Sequence, residues 1–157
     1  MFNFINDIRS ENLHYLNLLY IVLLYSIDYI IMFKKFIPFF TSSAILLTVD
    51  VLYLYNIGMT TFQKNVQLIQ KSPLDLNIYG ALLSYVCVIG VLYYFIISQR
   101  KSVFDAFLLG IFLYGTFDMT NLAMFTKYAW STAIIDTLWG GTLFAFTTWA
   151  TYKVLHL

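Results

Sequence analysis

The sequence predicts an all-α fold: a polytopic membrane helix bundle with five transmembrane helices. Of the 157 residues, 61% are hydrophobic and only 11% are charged, whereas roughly 25% of the residues in an ordinary globular chain are charged. A soluble protein of this length could not hide so much apolar surface. Five apolar stretches are each long enough to cross the hydrocarbon core, which needs about 20 helical residues. The lipid bilayer is therefore the expected surrounding.

The boundaries of the five crossings follow from the residues between them. Lys34 and Lys35 separate the first two stretches, and Pro38 can open the second helix because the first turn does not use its N–H groups. Ser102, with Asp105 three positions later, forms a capping-box pattern at the start of the fourth helix. The predicted crossings are residues 13–33, 37–57, 78–98, 103–123 and 131–155. Together they predict a single membrane domain, residues 1–157.

The longest connection, residues 58–77, carries a helical pattern of its own. Apolar residues recur there at spacings of three and four, namely Met59, Phe62, Val66 and Ile69. This pattern predicts a short amphipathic helix that lies on the membrane surface, and Ser72-Pro73 would end it. A polar loop with chance periodicity is the alternative.

Composition also bounds the partners and the chemistry. A net charge of +1 provides no basic surface for a nucleic acid. The single cysteine, Cys87, allows no internal disulfide and no cysteine metal cluster. His14 and His156 lie at opposite ends of the chain, so we expect no metal site and no cofactor. A bias toward Phe, Tyr, Ile, Asn and Lys is typical of an AT-rich genome, such as that of a large DNA virus, which would place the protein in a host or virion membrane.

Four acidic residues fall inside the predicted crossings: Asp28, Asp50, Asp118 and Asp136. A charged side chain at the bilayer centre costs roughly 2.5–3.5 kcal/mol on the insertion scale, so such residues face the bundle interior and have partners. Asp28 lies close to the end of its helix marked by Lys34, and its simplest reading is an interfacial residue. The other three call for a shared explanation.

The three remaining acids are predicted to lie at one depth. Asp118 precedes the end of its helix by as many residues as Asp136 follows the start of the next one, and these two helices form a hairpin. Asp50 and Tyr85 lie roughly 10 Å inside the same membrane face, at a rise of about 1.5 Å per residue. Four helices therefore place a polar group in one layer.

Helical periodicity adds neighbours to this layer. Gly110, Tyr114, Asp118 and Asn121 are spaced four, four and three, which puts them on one face. Trp139 lies one turn from Asp136, where its indole N–H could donate to a carboxylate. The candidate residues for binding a ligand, proton or cation are Asp50, Tyr85, Tyr114, Asp118, Asn121, Asp136 and Trp139. Basic residues occur only near the ends of the crossings, so these carboxylates must hold protons, bind a cation or contact water.

Three strings, VDVLYL, YGTFDMTN and DTLWGG, resemble an uncharacterised membrane family, the domain of unknown function numbered 2177. The family's Tyr-x-Thr-Tyr-Asp-x-Thr-Asn string falls at 114–121, with Phe117 where Tyr is usual. Its Asp-x-x-Trp-Gly string falls unchanged on Asp136, Trp139 and Gly140. The resemblance runs roughly from residue 40 to 153. It implies a four-helix core within residues 37–157, an added helix at 13–33 and a shared polar site, but no activity.

Three functions are compatible with these residues. The favoured hypothesis is a proton- or cation-linked permease or ligand-binding protein that uses the polar layer. The second is a structural or assembly protein, in which the layer only fixes helix packing, and a homo-oligomer is compatible with either. The third is an enzyme, which the sequence disfavours. An intramembrane aspartyl protease would need a Gly-x-Gly-Asp signature that YGTFD lacks.

Overall fold

The computed structural model describes the backbone of residues 2–157 and the side chains of residues 19–157, except 28, 30–32 and 35. The predicted all-α class is confirmed, because the described residues form helices and contain no strand. The elements are α1 (Phe2–Tyr53), a π-helical turn (Leu54–Gly58), α2 (Met59–Gln70), α3 (Ile78–Leu92), a second π-helical turn (Tyr93–Ile97), α4 (Val103–Met124) and α5 (Trp130–Leu155).

The chain divides into two compact units, Met1–Ile37 and Pro38–Leu157. In the first unit, described apolar side chains such as Tyr20, Val22 and Tyr25 are more than half exposed. The predictions for Asp28 and His14 concern side chains outside the described ones. The second unit holds the core and all seven candidate residues.

The turn predicted at Lys34 and Lys35 is wrong, because helical residues continue through both lysines and through Pro38. Lysine is a good helix former, and the segment contains no Gly, Asn or Asp at which a turn would be favoured. Pro38 removes only one backbone donor.

Three helical segments of the described residues are long and apolar enough to cross a membrane: Phe36–Gln70, Ile78–Ile97 and Val103–Met124. The second and third agree with the predicted crossings 78–98 and 103–123. The first segment contains both the predicted crossing 37–57 and the amphipathic segment that follows it. We predicted that the helix ends near residue 57, but a π-helical turn continues it there.

The amphipathic helix predicted within residues 58–77 is present as α2. The four apolar residues of the predicted pattern are half-buried, whereas Gln63, Lys64 and Gln67 are exposed. Lys71, with a φ of 58°, closes the helix in the left-handed region. Asn65 is the buried exception: its Oδ1 accepts a hydrogen bond from the backbone N–H of Ala129 at 3.1 Å. This bond ties α2 to the start of α5.

The predicted crossing 131–155 is helix α5, which is not among the three apolar segments. Its Asp and Thr residues lower its mean hydropathy, but these residues point into the protein. Asp136, Thr147 and Thr151 are all buried, and Leu143 and Phe144 between them join the hydrophobic core. The neighbouring helices therefore shield the polar face of α5 from the surroundings.

Helices α4 and α5 approach each other at glycines. A Cβ atom added to Gly110 would lie 2.7 Å from the carbonyl carbon of Gly140 and 2.8 Å from the Cα of Gly141. Real Cβ atoms do not approach backbone that closely, so any side chain at Gly110 would push the helices apart. Small residues at such crossings are typical of membrane helix packing.

The start of α4 follows the predicted capping box. Ser102 is the N-cap, its Oγ accepts from the N–H of Asp105, and the Asp105 side chain accepts from the N–H of Ser102. The Tyr152 hydroxyl donates to the Lys101 carbonyl at 2.8 Å, which fixes the end of α5 beside the start of α4.

We predict that Gly110→Ala lowers the free energy of unfolding by about 1–3 kcal/mol, the usual cost of overpacking. Thermal unfolding of the purified protein in detergent measures this. The control is Gly90→Ala, where an added Cβ meets nothing within 4 Å. Equal melting temperatures for the two variants would contradict the close α4–α5 contact.

Candidate functional site

Asp50 is held by donors from two other helices. The Tyr85 hydroxyl of α3 donates to Oδ2 at 2.7 Å, and the indole N–H of Trp139 on α5 donates to Oδ1 at 2.8 Å. Asp50 is only 6% exposed. Through these two bonds the Asp50 carboxyl group joins α1, α3 and α5.

The Trp139 side chain is oriented by stacking. Its ring lies parallel to that of Tyr53, with centroids 3.8 Å apart and an interplanar angle of 11°. Tyr53 lies one turn after Asp50 on α1, so one helix face supplies both the acceptor and the stacking partner. The sequence pattern suggested that this indole could donate to a carboxylate. The carboxylate is that of Asp50, not that of Asp136 one turn away.

Asp118 is completely buried and is also supplied with donors. The Tyr128 hydroxyl donates to Oδ1 at 2.7 Å, and the Thr137 hydroxyl donates to Oδ2 at 3.3 Å. Tyr128 lies in the connection between α4 and α5. Burial raises the pKa of Tyr128, and the hydrogen bond to Asp118 adds to the shift. Its hydroxyl therefore stays protonated and keeps donating at neutral pH.

Asp136 has a different environment. It is 8% exposed, and its carboxyl group lies within hydrogen-bonding reach of the Asp118 carboxyl. No hydroxyl, indole or amide among the described side chains donates to it. Two carboxyl groups can hydrogen-bond to each other only when one carries a proton, so the pair is suited to hold a single shared proton.

A cavity of about 400 Å³ adjoins this pair. Five of the seven candidate residues line it: Asp50, Tyr85, Tyr114, Asp136 and Trp139. The Tyr114 ring lies directly over Gly140, where an added Cβ would overlap it. The absence of a side chain at Gly140 thus lets the tyrosine lie between α4 and α5.

The other two candidates lie outside the cavity wall. Asp118 contacts Asp136, which does line the cavity. Asn121 is half-buried and lies close enough to Tyr128 to influence its hydroxyl group. Asp50 and Asp118 therefore both lie near Asp136. Within the described part of the chain, no group of three or more His, Cys, Asp or Glu residues is placed to hold a metal ion.

Sequence reasoning missed three residues of this region: Asn65, Tyr128 and Thr137. Asn65 and Tyr128 lie outside the predicted crossings, so no intramembrane position drew attention to them. Thr137 gave a signal in the sequence, because it directly follows Asp136. In the structure its methyl group would lie 3.3 Å from a Cβ added to Gly115. A small residue opposite a hydroxyl residue is a typical feature of helix–helix hydrogen bonding.

Comparison with known proteins gives one match. The family described as "Predicted membrane protein (DUF2177)" matches residues 35–153, which include all seven candidate residues and exclude the predicted crossing 13–33. The chain matches no curated protein and no solved structure. The family description is silent on transport and on viral origin.

We predict that Tyr85→Phe and Tyr128→Phe each lower the free energy of unfolding by about 1–3 kcal/mol, because each leaves a buried carboxylate oxygen without its donor. Chemical or thermal unfolding in detergent measures the loss. Tyr79→Phe is the matched control, since Tyr79 lies on α3 with 77% of its surface exposed. If all three variants unfold alike, the two hydrogen bonds do not hold the site.

Proposed function

The chain belongs to the predicted membrane protein family DUF2177, and on that premise we propose that it is a proton- or cation-linked permease or ligand-binding protein. The Asp118–Asp136 pair would be its proton- or cation-binding group. The observation that carries this proposal is the state of Asp136, which is buried beside a second carboxyl group and faces a cavity. None of the described residues that line this cavity is Lys, Arg or His.

The pair can act as a proton store. With one proton shared, it bears a single negative charge, which avoids the cost of two buried charges at close range. Tyr128 and Thr137 keep Asp118 in place by donating to both of its oxygens. Asp136 can then release the proton to the cavity, or exchange it for a cation. Intramembrane acids of this kind commonly mark proton and ion paths.

We infer that α5 crosses the membrane with the three apolar segments. Its buried polar residues face α4 and the core rather than lipid, so the cost of placing them in hydrocarbon does not arise. With the three apolar segments, this would make four transmembrane helices. A separate fifth crossing at 13–33 would need the chain to reverse direction near Lys34, where the helix α1 is continuous.

Proton movement tests the proposal. In proteoliposomes with an internal pH dye and an imposed pH gradient, we expect flux above that of empty vesicles. Asp118→Asn and Asp136→Asn should lower the rate at least tenfold, because an amide cannot take up the proton. Asp75→Asn is the control, since Asp75 is exposed in the connection before α3. Proton flux that is unchanged in both site variants, or absent from the wild type, would refute proton transport through this site.

A second candidate function, helix packing alone, is favoured by the saturated state of two acids. Asp50 and Asp118 each accept hydrogen bonds at both oxygens from other elements. These contacts are what a purely structural or assembly role requires. Asp136 has no such donors among the described side chains, so variants of this residue distinguish the two functions.

We predict that Asp50→Asn lowers the free energy of unfolding by about 1–3 kcal/mol, because an amide cannot accept from both Tyr85 and Trp139 through two oxygens. Asp136→Asn should leave the melting temperature in detergent unchanged, because its amide can donate to Asp118 as the protonated acid does. A loss at Asp136 as large as that at Asp50 would instead favour the packing role.

A further inference from the structure

We propose that the cavity beside Asp136 binds a small organic ammonium ion that carries an apolar group. This inference rests on the proposed function, because it names the ligand class of the same site. It is drawn from three properties of the cavity wall: an acid without a donor, acceptor and aromatic groups around it, and apolar side chains on the remaining surface.

The charge of the wall is one-sided. Asp50 and Asp136 are its ionisable acids, and none of its lining residues is Lys, Arg or His. Asp50 already accepts from Tyr85 and Trp139. Asp136 is more than nine-tenths buried and, apart from the Asp118 carboxyl group, accepts from no donor among the described side chains. The wall therefore lacks a positively charged N–H donor at Asp136, and an ammonium group supplies one.

The groups near Asp136 suit such a cation. The Tyr85 hydroxyl donates its hydrogen bond to Asp50, so the lone pairs of its oxygen remain available to accept from a ligand. The rings of Tyr114 and Trp139 also line the cavity. Aromatic faces attract ammonium ions, and the attraction is stronger where the pair is shielded from water.

The rest of the wall is apolar and indicates an organic body on the ligand. Leu54, Phe62, Leu76, Val88 and Phe117 line the cavity. Its volume of about 400 Å³ is within the range of small-molecule pockets, which also combine apolar walls with a few polar groups. A bare metal ion would leave these walls without a partner. An anion would be repelled by the two acids, Asp50 and Asp136, that line the cavity.

Binding of 2-phenylethylammonium to the full-length protein tests the inference. In a Trp130→Phe/Trp149→Phe background, Trp139 is the single tryptophan and reports on its own cavity. We expect a saturable change in its fluorescence. The neutral 2-phenylethanol and the anionic phenylacetate should bind at least tenfold more weakly, because neither offers a cation to Asp136.

Two variants locate the site. Asp136→Asn should weaken binding of the ammonium probe at least tenfold and leave that of 2-phenylethanol unchanged. Ser84→Phe adds bulk to the lining and should weaken both probes, whereas Ser98→Phe, at an exposed serine near the end of the same helical segment, should weaken neither. Melting temperatures of all variants distinguish lost binding from lost folding.

The outcomes separate this inference from the proposed function. Equal affinity for the charged and neutral probes, or ammonium binding that Asp136→Asn leaves intact, would overturn the ligand assignment. If proton flux still depends on Asp136 in that case, the proposed function stands without it. Ammonium binding that depends on Asp136, in vesicles that show no flux, would support the ligand assignment and overturn proton transport.

Discussion

The close approach of α4 and α5 at Gly110, Gly140 and Gly141 is the constraint on which the rest of the site depends. With no side chain at Gly110, the α5 backbone lies where a Cβ would be. Asp118 lies two turns beyond Gly110 on α4, and Asp136 lies one turn before Gly140 on α5. The two carboxyl groups meet because the backbones do. The same crossing directs Trp139 toward Asp50.

Once the helices are this close, the acids take different roles according to the donors around them. Asp50 and Asp118 have both oxygens occupied by tyrosine, tryptophan and threonine donors from neighbouring elements. They are costly to bury alone but are stabilised by these bonds. Asp136 accepts from no hydroxyl, indole or amide among the described side chains; it lies beside the Asp118 carboxyl group and faces the cavity.

Much of this arrangement could be predicted from the sequence, and the misses have physical causes. Lengths of apolar sequence located α3 and α4, and the Ser102–Asp105 pair located the start of α4. The break at Lys34 and Lys35 was wrong because charge alone does not end a helix. Asn65 and Tyr128 reach the site by tertiary contacts from the connections, which no helical period encodes. Which carboxylate would receive the Trp139 indole depended on the stacking with Tyr53, a contact between helices.

We propose that Asp118 and Asp136 share one proton at neutral pH, and the chemistry of the site depends on this proton. Infrared spectroscopy of the purified protein tests this most directly, through the C=O stretch of a protonated carboxylic acid and its shift in heavy water. We predict that the wild type shows this band at neutral pH and that Asp136→Asn and Asp118→Asn each abolish it, while Asp50→Asn retains it. A spectrum with no protonated carboxyl group, or a band that survives in both pair variants, would contradict the account.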